Sequence, residues 1–209
     1  MMSTWQQRGD YLVSIAQHCL QGHSHFDLCR SHLVKASQIS RGTIYNHFPC
    51  EADLKLAVIT AELSHQLAQT KLVEAHFTDS LHQFLYHHCN RLHEVVCKRR
   101  FSYVRDLPDE AMLEQASEQY RNTYLRVEQQ YSRWNSQCVD AIGIVPGFDR
   151  KALVKSYIRG CMIEALDNVH QCGNIMLYQQ FSFAVAQLLG HSDKRLPAGQ
   201  AMLDWFDSQ

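Results

Sequence analysis

The chain has 209 residues, of which 45% are hydrophobic and 20% are charged, with 20 Lys plus Arg against 21 Asp plus Glu. This apolar content excludes a disordered chain, and the length predicts one or two compact domains. The formal net charge of -1 also excludes a chain that is basic throughout, so any contact with nucleic acid must come from a local basic patch.

The apolar pattern is helical from the start of the chain. Glycine and proline are sparse, at nine and four residues, and strictly alternating apolar stretches are absent, so we predict an all-α fold. The first helix is predicted to end near Gly22 and to bury a face made of Leu12, Ile15, Ala16, Cys19 and Leu20. Two short helices joined by a tight turn follow, the first around Leu33 and the second between Ile39 and Phe48.

Longer helices make up the rest of the chain. One is predicted from Glu51 into the low seventies, and the next over about 79–100, ending in the basic run 98–100, which we expect to be solvated. A single long helix is predicted over about 109–142, because aromatic and apolar residues recur there at heptad spacing. Two further helices, about 149–171 and 174–189, and a last short turn after Pro197 complete the prediction.

The stretch from Leu28 to Phe48 is the one locally basic segment of this nearly neutral chain, because it contains neither Asp nor Glu. Its second half mixes hydroxyl, guanidinium, amide and phenol groups, the types that reach phosphates and base edges in a major groove. Ser40 is predicted to cap the second short helix and to direct that helix's first N–H groups toward a DNA backbone. The predicted DNA-contacting residues are Arg30, Lys35, Ser40, Arg41, Thr43, Tyr45, Asn46 and His47.

The run Ile39-Ser-Arg-Gly-Thr-Ile-Tyr-Asn-His-Phe48 resembles the helix-turn-helix signature of the TetR family of transcriptional regulators, whose members typically read V-S-x-G-T-x-Y-x-H-F there. The resemblance covers about 12–58; beyond it only the number of helices and the chain length agree. It implies a three-helix DNA-binding domain at 1–50, followed by a helical ligand-binding and dimerisation domain at 51–209. It also implies a regulator, most often a repressor, and not an enzyme.

Partners follow from the same resemblance. TetR-like proteins are homodimers that pair through their last two long helices, here about 149–171 and 174–189, with Gly160, Cys161 and Ala165 permitting close approach. The two recognition helices then meet a palindromic site on double-stranded DNA, with half-sites roughly 34–36 Å apart. A small-molecule effector in the second domain would release the DNA, with the helix from Glu51 linking the two domains.

The chain departs from the family pattern at three places. Gln38 stands at the turn where the family usually has Gly, so this turn must hold a non-glycine residue. Glu51 replaces a family Lys and follows Cys50 in place of Ser, so Lys55, one turn later, is the expected substitute phosphate contact. The usual Thr before the second helix is missing in 28–30.

The middle helices carry aromatic residues that are candidates for lining an effector pocket. The same stripes at helical spacing also fit an ordinary packed core. The candidate ligand-binding residues are Phe101, Tyr103, Tyr120, Tyr124, Tyr131, Trp134 and Met162.

The eight cysteines are scattered without a C-x-x-C pair, so we expect reduced thiols in a cytoplasmic protein. We also expect neither a signal peptide nor a membrane span, because no basic flank precedes an apolar run and no apolar stretch reaches about 18 residues.

Histidine and cysteine groups offer a metal- or redox-responsive regulator as the alternative. They are His23, His25, Cys29 and His32, then His87, His88 and Cys89, and finally Cys97 beside a basic run. Zinc needs about four converging ligands, and adjacent histidines on a helix diverge, so we predict no metal and no cofactor. An all-helical enzyme is a further alternative, although nucleophile, nucleotide-loop and zinc-protease motifs are absent from the sequence. A helical adaptor would leave the 40–48 motif unexplained.

Overall fold

The computed structural model describes residues 4–143, 147, 149–168, 172–191 and 196–208. Within these ranges the chain forms ten α-helices and one 3-10 turn and contains no strand, as the all-α prediction requires. None of the described helices combines the length and apolar character that a membrane crossing demands. The helices are α1 (Thr4–Cys19), α2 (Arg30–Ser37), α3 (Arg41–His47), α4 (Glu51–His76), α5 (Ser80–Val96), α6 (Glu110–Gln115), α7 (Glu118–Ile142), α8 (Arg150–Asp167), α9 (Ile175–Leu189) and α10 (Gly199–Asp207), with the 3-10 turn at Tyr103–Arg105.

The chain divides into two compact units. The first comprises Met1–His65 and Arg100–Gln129, and the second comprises Gln66–Arg99 and Gln130–Gln209. Helices α4 and α7 therefore contribute residues to both units. The functional division into 1–50 and 51–209 stays a prediction.

In the first unit, α1, α2 and α3 form a small core around apolar residues that are fully buried: Leu12, Ala16, Leu20, Leu33, Ile44 and Phe48. Between α2 and α3 the turn holds Gln38 at φ 58°, in the left-handed region that glycine adopts without steric penalty. Ser40 then caps α3, its side-chain oxygen accepting a hydrogen bond of 3.3 Å from the Thr43 N–H. The sequence predictions for this turn and this cap are confirmed.

The single helix predicted over 109–142 is wrong, because the structure breaks it into α6 and α7. Ala116 is extended, with ψ at 145°, and α7 begins only at Glu118. The fully buried Asp53 carboxylate accepts hydrogen bonds of 2.7 Å from both the N–H and the hydroxyl of Ser117. This cap replaces the backbone hydrogen bonds that a continuous helix would need, so a new helix starts there.

The second unit is organised around α5, which is buried at Leu81 and from Phe84 to Val96 and packs against α8, α9 and α10. It ends at Val96, four residues before the predicted end at 100, because the chain turns at Arg99, whose φ is 54°. Arg100 belongs to the first unit, where it donates to the buried Glu62 carboxylate at 2.8 Å. The predicted solvated basic end is therefore wrong for Arg100.

The expectation that every thiol is reduced is also wrong. Cys97, directly after α5, is joined in a disulfide to Cys172, just before α9, with Cα atoms 4.9 Å apart. The two cysteines are separated by 75 positions in the chain, so spacing alone gave no indication of the pair. The other six cysteines are free.

Two predicted helix ends differ from the structure in other ways. Helix α8 ends at Asp167, and the predicted continuation over 169–171 lies outside the described residues. The last short turn is a helix of nine residues, α10, whose buried side includes Met202, Trp205 and Phe206.

Candidate functional site

The outer surface of α2 and α3 carries most of the side chains predicted to contact DNA. Lys35, Ser40, Arg41 and Asn46 are exposed, while Thr43 and Tyr45 are half-buried. The opposite face of α3 is anchored by Ile44, which is fully buried in the small core. The helix therefore presents a polar face on a fixed support, as a recognition helix requires.

The Tyr45 ring lies against two guanidinium groups. The Arg41 guanidinium carbon is 4.9 Å from the ring centroid and that of Arg30 is 4.3 Å from it. Such cation–π contacts restrict the motion of the side chains and leave their N–H groups available for other hydrogen bonds. The exposed Arg41 is thereby held close to the surface of α3.

Arg30 was predicted to contact phosphate, but its side chain binds other groups of the protein. Its Nε donates to Glu51 Oε1 at 2.9 Å, its Nη1 donates to the Phe48 carbonyl at 3.0 Å, and its side chain is only 16% exposed. Its backbone N–H also donates to Glu51 Oε2 at 3.0 Å, so Glu51 binds the first residue of α2. Glu51 is thus the ion-pair partner that joins α2 to the start of α4.

The side chains of His47 and Lys55 also interact with other residues of the first unit. The buried His47 ring stacks on Trp5 with ring centroids 3.6 Å apart, and burial, together with the Arg8 charge, lowers the pKa of His47. Lys55 Nζ lies 2.8 Å from Asp106 Oδ1. The residues that the structure leaves at the candidate interface are Lys35, Ser40, Arg41, Thr43, Tyr45 and Asn46.

Four of the predicted ligand-binding residues, Phe101, Tyr103, Tyr120 and Tyr124, lie in the first unit. Phe101 is buried edge-on against Phe26, with ring centroids 5.9 Å apart. The Tyr120 hydroxyl donates a hydrogen bond of 2.6 Å to the His47 carbonyl, and burial, together with Asp53, raises the pKa of Tyr120 to about 12. Tyr120 therefore supports the end of α3.

The other three predicted ligand-binding residues, Tyr131, Trp134 and Met162, lie in the second unit. Tyr131 and Trp134 meet around His87: the Tyr131 hydroxyl is 2.8 Å from His87 Nε2, and the Trp134 and His87 ring centroids are 4.8 Å apart. The Trp134 indole N–H donates to Glu74 Oε1 at 2.7 Å. Met162 is fully buried on α8.

Sequence reasoning missed a group of buried polar residues next to Tyr131. The Arg91 guanidinium donates to the Tyr131 hydroxyl at 3.1 Å, and Gln66 Nε2 donates to Glu94 Oε2 at 3.4 Å. The signal was present in the sequence, because four polar residues of α5 recur at the spacing of one helix face. We call this group the polar core; it comprises Gln66, His87, Asn90, Arg91, Glu94 and Tyr131.

His88 lies beside the polar core on the same helix. Its Nε2 is 2.8 Å from Asn135 Oδ1, and its Nδ1 is 3.4 Å from Arg91 Nη1. Burial, reinforced by the Arg91 charge, lowers the pKa of His88 to about 3. The imidazole is therefore neutral at physiological pH.

The two helices predicted to pair in a dimer expose large apolar side chains. On α9, Met176 is 54% exposed and Phe183 is 49% exposed, and on α8 Leu153 is also exposed. Gly160 lies on the exposed side of α8 with open space around it, whereas Ala165 is buried within its own unit. Ala165 is therefore unavailable to the predicted seam.

No group of three or more His, Cys, Asp or Glu side chains among the described residues is arranged to hold a metal ion. His23 instead contacts Asp27, with Nδ1 2.8 Å from Oδ2. Cys29 Sγ lies 3.0 Å from the Ser31 hydroxyl, and that hydrogen bond lowers the pKa of Cys29.

Neither a family model nor a curated protein sequence matches this chain. Among solved structures, the fold is similar to that of RolR in complex with the ligand resorcinol, with a TM-score of 0.60 and 14% sequence identity. The similarity covers 92% of this chain and 96% of that chain. At this level of identity the comparison shows an all-helical fold of the same kind.

Proposed function

We propose that this protein is a TetR-like transcriptional regulator that binds double-stranded DNA through α2 and α3. The observation that carries the proposal is the surface of α3, on which Arg41, Asn46 and Tyr45 stand over a buried anchor and after a capped turn. Arginine, amide and phenol side chains on a short helix are the groups that read base edges and phosphates in a major groove.

The local charge supports the same function. No carboxylate side chain occurs between Leu28 and Phe48. The acidic residues that flank this segment are both paired, Asp27 with His23 and Glu51 with Arg30. Phosphates approaching Lys35 and Arg41 therefore meet no unpaired acidic side chain from this segment. Because the chain as a whole is nearly neutral, we expect modest affinity for random DNA and a larger affinity for a specific site.

The proposed assembly is a homodimer that binds a palindromic operator. Large exposed apolar side chains on α8 and α9 are the support, because monomeric proteins seldom present such residues together. A two-fold dimer places two recognition helices on one face of the duplex, so the operator half-sites are expected roughly 34–36 Å apart.

We further propose that a small-molecule effector binds the second unit and releases the operator, so that the protein acts as a repressor. The similarity of fold to RolR, solved with resorcinol bound, supports a ligand-binding role. Helices α4 and α7 contribute residues to both units and are the proposed route of transmission. Such a switch requires the effector to bind the DNA-free form more tightly than the DNA-bound form.

Selection from a random duplex pool tests the DNA-binding function. The purified protein is expected to enrich one palindromic sequence over repeated rounds, and cleavage footprinting is expected to protect two half-sites about one helical turn apart. Recovery of unenriched random sequence after the final round would contradict the proposal.

The disulfide favours a second candidate function, in which the regulator responds to oxidants. Two thiols, those of Cys97 and Cys172, form one S–S bond by giving two electrons and two protons to a peroxide, which becomes water. Cys172 is exposed, so oxidants and reductants reach it from solvent. Lys98 and Arg99 directly follow Cys97 in the chain, and reactive cysteines generally lie beside such basic residues.

This candidate is tested by measuring operator affinity of the protein first reduced with dithiothreitol and then oxidised with hydrogen peroxide. The wild-type affinity is expected to change by about 5-fold or more, the range of typical allosteric coupling, whereas Cys172→Ser removes the change and Cys19→Ser retains it. Equal affinity of the reduced and oxidised wild-type protein would exclude a redox response.

A further inference from the structure

Two amide oxygens in the polar core have no hydrogen-bond donor among the described residues. They are Gln66 Oε1 on α4 and Asn90 Oδ1 on α5, in side chains that are 6% and 2% exposed respectively. A buried acceptor left without a donor loses its hydrogen bond to water and gains none in return, so native proteins retain few of them. A bound molecule that donates hydrogen bonds would satisfy both oxygens.

The two oxygens belong to one cluster. Gln66 donates its amide N–H to the Glu94 carboxylate, and Asn90 precedes Glu94 by one helical turn on the same face of α5. Glu94 is itself buried, at 4% exposure. Gln66 and Asn90 therefore both neighbour Glu94, Gln66 through a hydrogen bond and Asn90 through its position one turn earlier, and all three side chains carry oxygens that accept hydrogen bonds.

The charges of the polar core restrict the ligand further. The buried Glu94 carboxylate disfavours an anion, and the buried Arg91 guanidinium, three residues earlier on the same face, disfavours a cation. A neutral molecule avoids both repulsions, which leaves hydroxyl groups as the donors best suited to the amide oxygens.

The aromatic side chains next to the polar core indicate that the ligand contains a flat ring. The Trp134 ring lies 6.5 Å from the Phe84 ring at an interplanar angle of 14°, and both stand beside His87 and Tyr131 on the neighbouring helical turns. Aromatic side chains bind flat apolar rings by stacking and by edge contacts. The site thus combines acceptors with aromatic surface.

We propose that the polar core binds a neutral aromatic molecule carrying two hydroxyl groups, whose O–H groups donate to Gln66 and Asn90. The proposal rests on the proposed function in that this molecule is the effector. Gln66 and Asn90 lie outside the aromatic stripes. In this role they determine specificity, because they favour ligands that donate hydrogen bonds over ligands that accept them.

The test compares ligands of matched shape on the wild-type protein by isothermal titration calorimetry. The probes are the three dihydroxybenzenes, with the corresponding dimethoxybenzenes as controls that lack donors and benzoate as an anionic control. At least one diol is expected to bind about 10-fold or more tightly than its dimethoxy counterpart and than benzoate. Equal affinity within each pair, or no diol binding at millimolar concentration, would overturn the proposal.

Variants locate the site. Asn90→Leu and Gln66→Met each remove one acceptor at similar volume, and each is expected to weaken diol binding by about 10-fold, with circular dichroism reporting the folded state. Gln137→Leu, at an exposed position of α7, is the matched control and is expected to leave the affinity unchanged. Unchanged affinity in Asn90→Leu and Gln66→Met would overturn the assignment, and the comparison of ligands on the wild-type protein decides if both variants unfold.

Operator binding, measured on the same preparations, separates this proposal from the function on which it rests. Specific DNA binding without diol binding would refute the ligand site and leave the regulator intact. Diol binding without any specific DNA binding would support the site and refute the regulator.

Discussion

The Tyr120 hydroxyl donates a hydrogen bond of 2.6 Å to the carbonyl of His47, the last residue of α3. The Tyr120 ring also packs near Phe48, with ring centroids 5.8 Å apart. A residue of α7 thus satisfies one of the carbonyl groups that the end of a helix leaves without an intrahelical partner. This contact ties the orientation of α3 to the first turns of α7, within the same unit.

Replacement of Tyr120 by Phe removes that hydrogen bond and keeps the ring. The free energy of unfolding is expected to fall by about 0.5–1.5 kcal/mol, the usual net value of one hydrogen bond. Urea denaturation measures the change, and Tyr124→Phe, one turn later on α7, serves as the control with a smaller effect. A loss no larger in Tyr120→Phe than in Tyr124→Phe would show that the contact contributes nothing to stability.

The left-handed turn between α2 and α3 predicts a stabilising substitution. Gln38 has a φ of 58°, a conformation that costs a non-glycine residue roughly 1–2 kcal/mol, while glycine loses about 0.5–1 kcal/mol of chain entropy on folding. Gln38→Gly is therefore expected to raise the free energy of unfolding by about 0.5–1 kcal/mol. Ala36→Gly, inside α2, is expected to lower it by a similar amount. Changes of the same sign in both variants, measured by urea denaturation, would contradict the role assigned to the turn.

His88 predicts how stability depends on pH. Burial and the Arg91 charge lower the pKa of His88 to about 3, so between roughly pH 6.5 and 3 the unfolded chain binds a proton that the folded chain does not. Stability from this group is therefore complete above about pH 6.5 and is lost as the pH falls through that range.

The substitution His88→Gln removes this titration. The slope of unfolding free energy against pH, measured by urea denaturation between pH 7 and 4, is expected to fall by up to about 1.4 kcal/mol per pH unit. An identical slope in the variant and the wild type would mean that His88 does not titrate as its burial requires.

The exposed apolar side chains of α9 predict a dimer that charge disrupts. Phe183→Glu is expected to weaken dimerisation by about 30-fold or more, because a charged group buried at an interface costs about 2 kcal/mol or more. Sedimentation velocity measures the monomer fraction, and Leu125→Glu, at an exposed leucine of the first unit, is the matched control. Equal monomer fractions in the two variants would place the dimer interface elsewhere.

Features with local signals were predictable from the sequence. The cap of α3 depends on Ser40 and Thr43, three residues apart, and the all-α fold depends on helical periodicity. The start of α7 was not predictable, because the cap on Ser117 comes from Asp53, 64 residues earlier. The Cys97–Cys172 bond was not predictable either, because the two cysteines are 75 positions apart in the chain.

The residue types of the candidate site were predictable from the sequence, but the sequence did not show which of these side chains the fold buries. Arg30 and Lys55 have the charge expected of phosphate contacts, yet each meets a carboxylate, Glu51 or Asp106, that only the folded chain brings near. Gln66, Asn90 and Glu94 were not identified from the sequence, because the contact between Gln66 and Glu94 depends on how α4 packs within the second unit.

The central claim is that the outer face of α3 binds DNA specifically, and operator affinity measured across a range of salt concentrations tests it most directly. Arg41→Ala is expected to weaken binding by about 10-fold or more and to reduce the slope of log affinity against log salt by about one, while Arg126→Ala, at an exposed position of α7, changes neither. If Arg41→Ala and Arg126→Ala both bind the operator with wild-type affinity and wild-type salt slope, α3 is not the DNA-binding element.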